Sequence, residues 1–182
     1  VSGKVILYVA MSLDGYLAKK NHAMDWLLGE SAREDIDNGY AQFYDTIGTL
    51  LMGATTYREI IEHLSPDAWP YPDKPSYVFT SKAYPAQPDV HFIRNSPSQI
   101  LHEIRKTSQQ DIWLVGGARL IHTFMSKNLI DKYIISIIPT LLGEGILLFA
   151  QREEAEIKLS LIEQRSVDGI VELHYIPRKK PE

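Results

Sequence analysis

The chain has no cysteine among its 182 residues. That single absence excludes disulfides, thiolate metal centres and a cysteine nucleophile. Long apolar runs are missing too. The most apolar region, Tyr133 to Phe149, is broken by Pro139, Gly143, Glu144 and Gly145, short of the roughly 20 residues a membrane helix needs. No charged-then-apolar leader is read, since Val5 to Met11 is too short for one and reads as a strand. Basic residues are scattered and the net charge is −4, so there is no basic patch for a nucleic-acid backbone. The six histidines lack metal-ligand spacing, and no Gly-x-Ser-x-Gly, His-Glu-x-x-His or Walker-type motif occurs. These absences lead to the expectation of a cytoplasmic protein without metal, nucleic-acid or membrane partners.

What is present is ordinary for a globular chain: 45% apolar and 23% charged residues. At this length the simplest organisation is one domain over residues 1–182, burying roughly 70% of its unfolded surface. The organising stretch is Asp111 to Phe124, DIWLVGGARLIHTF. Ile112-Trp113-Leu114-Val115 has the length of a strand buried on both faces. Gly116-Gly117 follows, and Ala118, Leu120, Ile121 and Phe124 then recur at helical spacing. Such a turn aims free helix N–H groups at whatever lies above the strand, which suits a phosphate. Arg119 in the first turn can add a guanidinium fork. A plain strand-to-helix turn with glycines that only relieve crowding is the competing reading.

Taken in order, Val5 to Ala10 reads as a central strand and Ser12-Leu13-Asp14-Gly15 as a turn. Ser31, with Glu34 three residues on, reads as the capping box of a helix bearing Ile36, Tyr40, Phe43 and Tyr44. Thr49 to Met52 is a second strand closed by Gly53, with Thr55 or Thr56 capping a helix over Tyr57 to His63. Ser65 to Pro75, with four prolines, reads as loop. Tyr77 to Thr80 and Val90 to Ile93 are strands, Pro97 opens a helix, and Tyr133 to Ile138 is a sixth strand. Leu142 to Leu148 reads as loop. Ile157 to Gln164 and Ile170 to Tyr175 alternate around the hairpin turn Val167-Asp168-Gly169. Arg178-Lys179-Lys180 reads as a solvated basic tail. The pattern predicts an α/β fold: a mostly parallel mixed sheet with an antiparallel C-terminal hairpin and helices on both faces.

Three strand ends carry small or hydroxyl-rich turns: Gly53-Ala54-Thr55-Thr56, Thr80-Ser81-Lys82, and Val115-Gly116-Gly117-Ala118-Arg119. Ligands of open α/β sheets gather beyond the carboxyl ends of parallel strands. Three such ends together suit an extended phosphate-rich ligand such as a dinucleotide, although helix caps explain Thr55 and Thr56 about as well. Acid/base candidates are Asp14, Asp25, Asp35 and Asp37, each also readable as favourable charge near a helix start.

Ala10, Asp14 and Asn21-His22-Ala23-Met24-Asp25-Trp26 resemble the first strand and substrate loop of dihydrofolate reductase. Leu51-Met52-Gly53-Ala54-Thr55-Thr56-Tyr57 resembles that family's second strand and cofactor-phosphate helix. Val115-Gly116-Gly117-Ala118-Arg119 resembles its glycine pair, usually joined by a cis peptide. Ser12-Leu13-Asp14-Gly15-Tyr16-Leu17-Ala18 and Ile138-Pro139-Thr140-Leu141-Leu142-Gly143-Glu144-Gly145 are more like the reductase domain of bifunctional riboflavin-biosynthesis proteins. The resemblance spans nearly the whole chain and implies a dihydrofolate reductase-like three-layer fold using NADPH. It implies that Ala10, Gly116 and Gly117 frame the nicotinamide, with Gly53, Thr55, Thr56, Thr80, Ser81, Lys82, Val115, Ala118 and Arg119 completing the cofactor site. Trp26, Tyr40 and Tyr44 would wall the substrate side. Where many relatives have Met-Gly-Arg, this chain has Met52-Gly53-Ala54. Counting back from Met52 places the substrate carboxylate at Asp37, with Asp25 second. The implied activity is hydride transfer to a small pterin-like or pyrimidine-like substrate, of the dihydrofolate or 5-amino-6-ribosylaminouracil phosphate type. The other reading is a nucleotide-, folate- or flavin-binding protein with little or no catalysis. Pairing of such relatives through sheet edges and the C-terminal hairpin implies a homodimer.

Overall fold

The computed structural model describes residues 3–179; Lys180, the last of the basic run, lies outside them. The chain forms β1 (Val5–Ser12), β2 (Tyr16–Ala18), α1 (Tyr40–Thr46), β3 (Ile47–Gly53) and α2 (Ala54–Glu59), which continues as a π turn over Ile60–Leu64. Then come β4 (Ser76–Phe79), β5 (Val90–Ile93), α3 (Pro97–Thr107), β6 (Asp111–Gly116) and α4 (Ala118–Ser126). The last elements are β7 (Lys132–Ile138), β8 (Ile146–Leu147), β9 (Leu159–Val167) and β10 (Ile170–Pro177).

Eight strands make one sheet in the order β5-β4-β3-β6-β1-β7-β10-β9. The six from β5 to β7 pair in parallel, and β10 and β9 close the edge antiparallel. This is the mixed sheet with a C-terminal hairpin that the apolar runs imply. Alternation along the strands divides the core into two layers. Val5, Leu7, Leu51, Ile112 and Leu114 face α3 and α4, packing on Ile100, Leu101, Ile104, Ile121 and Phe124. Ile6, Leu50, Met52, Val78 and Trp113 face α1 and α2.

Four local readings are corrected. The first helix starts at Tyr40, not near Ser31. Ser31 is drawn instead to the hairpin turn, its N–H and hydroxyl both donating to Asp168 at 3.0 and 2.7 Å. The helix after β3 starts at Ala54 behind Gly53, so Thr55 and Thr56 lie inside its first turn rather than capping it. The capping box of this chain is Ser96 with Gln99, just ahead of Pro97. Residues 142–148 include β8, which pairs with β2 as a second small sheet. The hairpin turn is as expected, with Asp168 and Gly169 both in the left-handed region at φ 53° and 78°.

Phe124 is fully buried between sheet and helices. Phe124→Ala should lower unfolding stability by about 3–5 kcal/mol, read from the urea midpoint. A loss below about 1 kcal/mol would be out of line with a filled cavity-forming site of that kind and would displace Phe124 from the core.

Candidate active site

The parallel strands all end on one edge of the sheet, so the three small-residue turns meet there. Gly53 ends β3 and pairs in register with Phe79, while Met52 pairs with Gly116. A Cβ built on Gly53 would lie 3.9 Å from both Gly116 O and Gly117 N. One built on Gly117 would lie 3.3 Å from the Thr56 hydroxyl. The β3 and β6 turns therefore touch backbone to backbone, and the Gly116–Gly117 peptide is cis.

The helices that spring from these turns lack the side-chain cap that α3 has, as does α1 behind Gly39. At α3 the first N–H groups are met by Ser96 and Gln99. Ahead of α1, Asp37 accepts the Gly39 N–H and Asn38 accepts that of Tyr40. Both α2 and α4 begin behind a glycine and receive no side-chain cap. Their free first-turn donors and partial positive charge are thus left facing the same edge. Arg119 stands exposed in the first turn of α4. Lys82 is exposed in the β4 turn, its N–H donating to the Thr80 hydroxyl at 3.0 Å. Sequence reasoning missed Arg94 at the end of β5, which fixes this turn by donating to Ser81 O at 2.9 Å.

Beside this edge the sheet opens. β1 and β6 pair only from Val5 to Leu7, whereas β1 and β7 stay paired to Ser12. The Tyr8 carbonyl, orphaned by the split, accepts a hydrogen bond from the Trp113 indole at 3.1 Å. The Lys4 carbonyl also faces β6, where Ile112 donates to it. By the two-residue alternation of parallel pairing, the N–H and C=O of Ala10 face the opened gap. Ala10, Val115 and the glycine pair therefore line one cleft.

The floor of that cleft is aromatic. Tyr8 stacks on Phe43 with centroids 4.0 Å apart, and Trp113 meets Tyr40 at 5.8 Å and Tyr71 at 5.5 Å. Tyr44 packs on Tyr40 and lies under the Lys74 ammonium at 4.3 Å. Lys74 also donates to the Tyr44 and Ile47 carbonyls, closing the end of α1. Burial pushes the Tyr8 and Tyr71 phenols up to about 12 and raises that of Tyr40 as well. These rings are neutral platforms at physiological pH. Trp26 is buried in the loop after β2, its indole N–H without a hydrogen-bond partner.

The acidic candidates take other roles. Asp14 accepts the N–H groups of Leu142 and Gly143 at 3.1 and 2.8 Å and the Ser12 hydroxyl at 2.6 Å. It binds the turn after β1 to the loop after β7. The Ser12 bond first, then those peptide donors, hold its carboxyl below the usual 3.8. Asp25 is lowered by Lys19 and Asp35 by Arg33. Asp37 is exposed and lies beside Arg165 on β9, away from the Gly-Gly turn.

A second polar cluster was not foreseen. Glu172 and His174 on β10 are buried, while Val171 and Ile176 face outward. Glu172 pairs across the sheet with Ser136, and Ser136 with Ala10, so the three form one row on the α1 face. Its carboxylate accepts from Arg165 Nε at 3.1 Å and Nη2 at 3.2 Å and lies 2.8 Å from His174 Nε2. Arg165 also donates to Asn38 O, which ties the residues before α1 to the hairpin. Its guanidinium occupies the space a Cβ of Gly39 would need, and Gly39 has φ 79°.

This geometry agrees with the comparisons. A family model for the RibD C-terminal domain matches residues 3–171, and the chain belongs to that family. The Bacillus subtilis (strain 168) protein YwjB, uncharacterized, is 38% identical over 174 residues, covering 95% of this chain and 97% of its own. A solved Shewanella sp. PV-4 protein assigned to riboflavin biosynthesis superposes with a TM-score of 0.85 at 27% identity, covering 97% of this chain and 99% of the other. The Thermotoga maritima diaminohydroxyphosphoribosylaminopyrimidine deaminase/5-amino-6-(5-phosphoribosylamino)uracil reductase shares the fold, with a TM-score of 0.72 at 15% identity. This chain covers 57% of that protein, and 97% of this chain is matched.

The lowered pKa of Asp14 fixes the sign of its pH effect. Its contribution to stability is complete above the unfolded value and is lost as pH falls through the lower folded value. Asp14→Asn should therefore flatten the acid limb of stability below about pH 4, measured as urea midpoints from pH 6 to pH 2.5. An unchanged limb would show that the clasp does not couple to folding.

Proposed function

We propose that the protein is an NADPH-dependent reductase that passes a hydride to a C=N or C=O group of a pterin-like or pyrimidine-like substrate. The carrying observation is that α2 and α4, both without side-chain caps, start against each other on the edge beside the opened β1–β6 gap. Two uncapped starts in contact fit the pyrophosphate of a dinucleotide. Membership of the RibD C-terminal domain family supports the same cofactor and a pyrimidine-reductase-like role.

The cofactor supplies the hydride; the chain supplies binding and order. Backbone N–H groups of Thr55, Thr56, Ala118 and Arg119 hold phosphate oxygens, with the Arg119 guanidinium as a second fork. Thr80, Ser81 and Lys82 hold the adenosine end. The free peptide groups of Ala10 offer a donor and an acceptor to a carboxamide, beside Gly53, Val115, Gly116 and Gly117. Trp26, Tyr40 and Tyr44 exclude water from the substrate side, with Asp37 at its outer border. Among the described residues no group of three or more His, Asp or Glu is placed to hold a metal ion. No helix among them is long and apolar enough to cross a membrane.

NADPH should quench the tryptophans, since Trp113 lies under the cleft. Arg119→Ala should weaken NADPH binding by about 1.5–3 kcal/mol, the value of a charged hydrogen bond. An unchanged constant would remove Arg119 from the site. Saturable NADPH binding without oxidation by any pterin, pyrimidine or flavin acceptor would identify a binding protein instead.

The chain is also proposed to form a homodimer through the C-terminal hairpin. The edge strand β9 and its partner expose Leu161, Ile162 and Val171, apolar side chains that pairing would cover. Sedimentation at micromolar concentration should give twice the chain mass, and Leu161→Lys with Ile162→Lys should give the monomer. A monomeric parent protein would end this assignment.

A further inference from the structure

Residues 27–38 form a strap fastened to the hairpin at both ends. At one end Glu30 N–H donates to Asp168 O at 2.8 Å, and Ser31 bonds the Asp168 carboxylate. At the other, Arg165 donates to Asn38 O. Strap and hairpin enclose a cavity of about 170 Å³. Asn38 is followed by Gly39, the one Asn-Gly pair in the chain; Asn21, Asn95 and Asn128 precede His22, Ser96 and Leu129. An asparagine before glycine is open to attack by its own main chain, because glycine puts no side chain in the way. In that step the Gly39 nitrogen gives up its proton and bonds to Asn38 Cγ. The Cγ–Nδ2 bond breaks, and ammonia leaves with the proton. Water then opens the five-membered imide at either carbonyl, giving aspartate or isoaspartate at position 38. Asn38 is exposed, so solvent reaches it freely.

The groups that must move in this step are all engaged in the fold. Gly39 N–H donates to Asp37 Oδ1 at 2.9 Å, and stripping its proton would set an anion against that carboxylate. Asn38 Oδ1 accepts the Tyr40 N–H at 3.0 Å, which turns the carboxamide toward the first turn of α1. Arg165 holds Asn38 O and with it the peptide plane that has to swing. Ring closure requires these contacts to break together. The two Asp-Gly pairs are held differently. Asp14 is kept ionised by the Ser12 hydroxyl and the N–H groups of Leu142 and Gly143, and an ionised carboxylate is a poor electrophile. The Asp168 carboxylate takes both donors of Ser31.

We propose that Asn38 is a self-modification site kept unreactive by the fastened strap, and that release of the strap from Arg165 lets it convert to isoaspartate and unseat the start of α1. Isoaspartate lengthens the main chain by one methylene and moves the carboxylate off the side chain. The Tyr40 N–H then loses its acceptor. Tyr40 packs on Tyr44 and Trp113, so the aromatic floor of the cleft shifts with it. Opening of the strap is a local and reversible event; the conversion that follows is permanent.

The test is incubation of the full chain in mildly alkaline buffer, folded and in concentrated urea, with mass spectrometry of the Asn38 peptide that resolves aspartate from isoaspartate. Conversion should be about tenfold slower in the folded chain, each of the three hydrogen bonds being worth roughly a few-fold. Arg165→Gln should speed conversion of the folded chain severalfold, and so should Asp37→Ala. Circular dichroism shows which variants keep the fold; if neither does, the comparison with urea decides alone. Conversion as fast in the folded chain as in urea overturns the proposal, as does a rate unmoved in every folded variant. The purified isoaspartate form should differ from the parent in tryptophan fluorescence. Asn38→Asp keeps an acceptor for the Tyr40 N–H and should match the parent. An isoaspartate form with the parent's fluorescence overturns the unseating of α1.

Discussion

A parallel ladder that stops at Leu7 and Leu114 governs the structure above it. Separating two central strands strips peptide groups of partners, and buried peptide groups without partners cost about 1–3 kcal/mol each. The chain answers with a side chain: the Trp113 indole takes the Tyr8 carbonyl. An indole in that position needs apolar company, which Tyr40, Phe43 and Tyr71 supply. Those rings in turn fix α1 on the sheet, with Lys74 securing its last turn. Cleft, aromatic floor and first helix are consequences of one interrupted pairing.

The capping pattern follows a similar logic. Ser96 and Gln99 satisfy the first N–H groups of α3, and Asp37 and Asn38 accept the N–H groups of Gly39 and Tyr40 at the start of α1. At α2 and α4 the sequence withholds the cap, and the withheld donors face one place.

Most strands were legible because buried runs such as Ile112 to Val115 leave no other packing solution. The Gly-Gly turn and the Asp168-Gly169 hairpin were legible through backbone conformations that few residues adopt. The start of α1 was not. Ser31 and Glu34 have the right spacing for a cap, but Asp168, 137 residues away, competes for Ser31 and wins. Which face of β10 is covered was not legible either. Glu172 and His174 alternate with Val171 and Leu173, and it is the polar side that residues 27–38 cover, leaving Val171 exposed. Asp14 reads as a candidate acid until its three donors are seen. Each miss involves a contact between segments far apart in sequence, which local pattern does not encode.

The fastening of the strap to Asp168 has a bearing on how the molecule is made. A ribosome delivers residues 27–38 long before it delivers Asp168, and β1 likewise waits for β6 and β7 on its two sides. Contacts of such long sequence separation form late in folding. During synthesis residues 27–38 have no hairpin to hold them, so their contacts with Arg165 and Asp168 close only when nearly the whole chain has emerged. A polypeptide truncated before residue 168 would keep most of its parallel sheet and have no finished pocket.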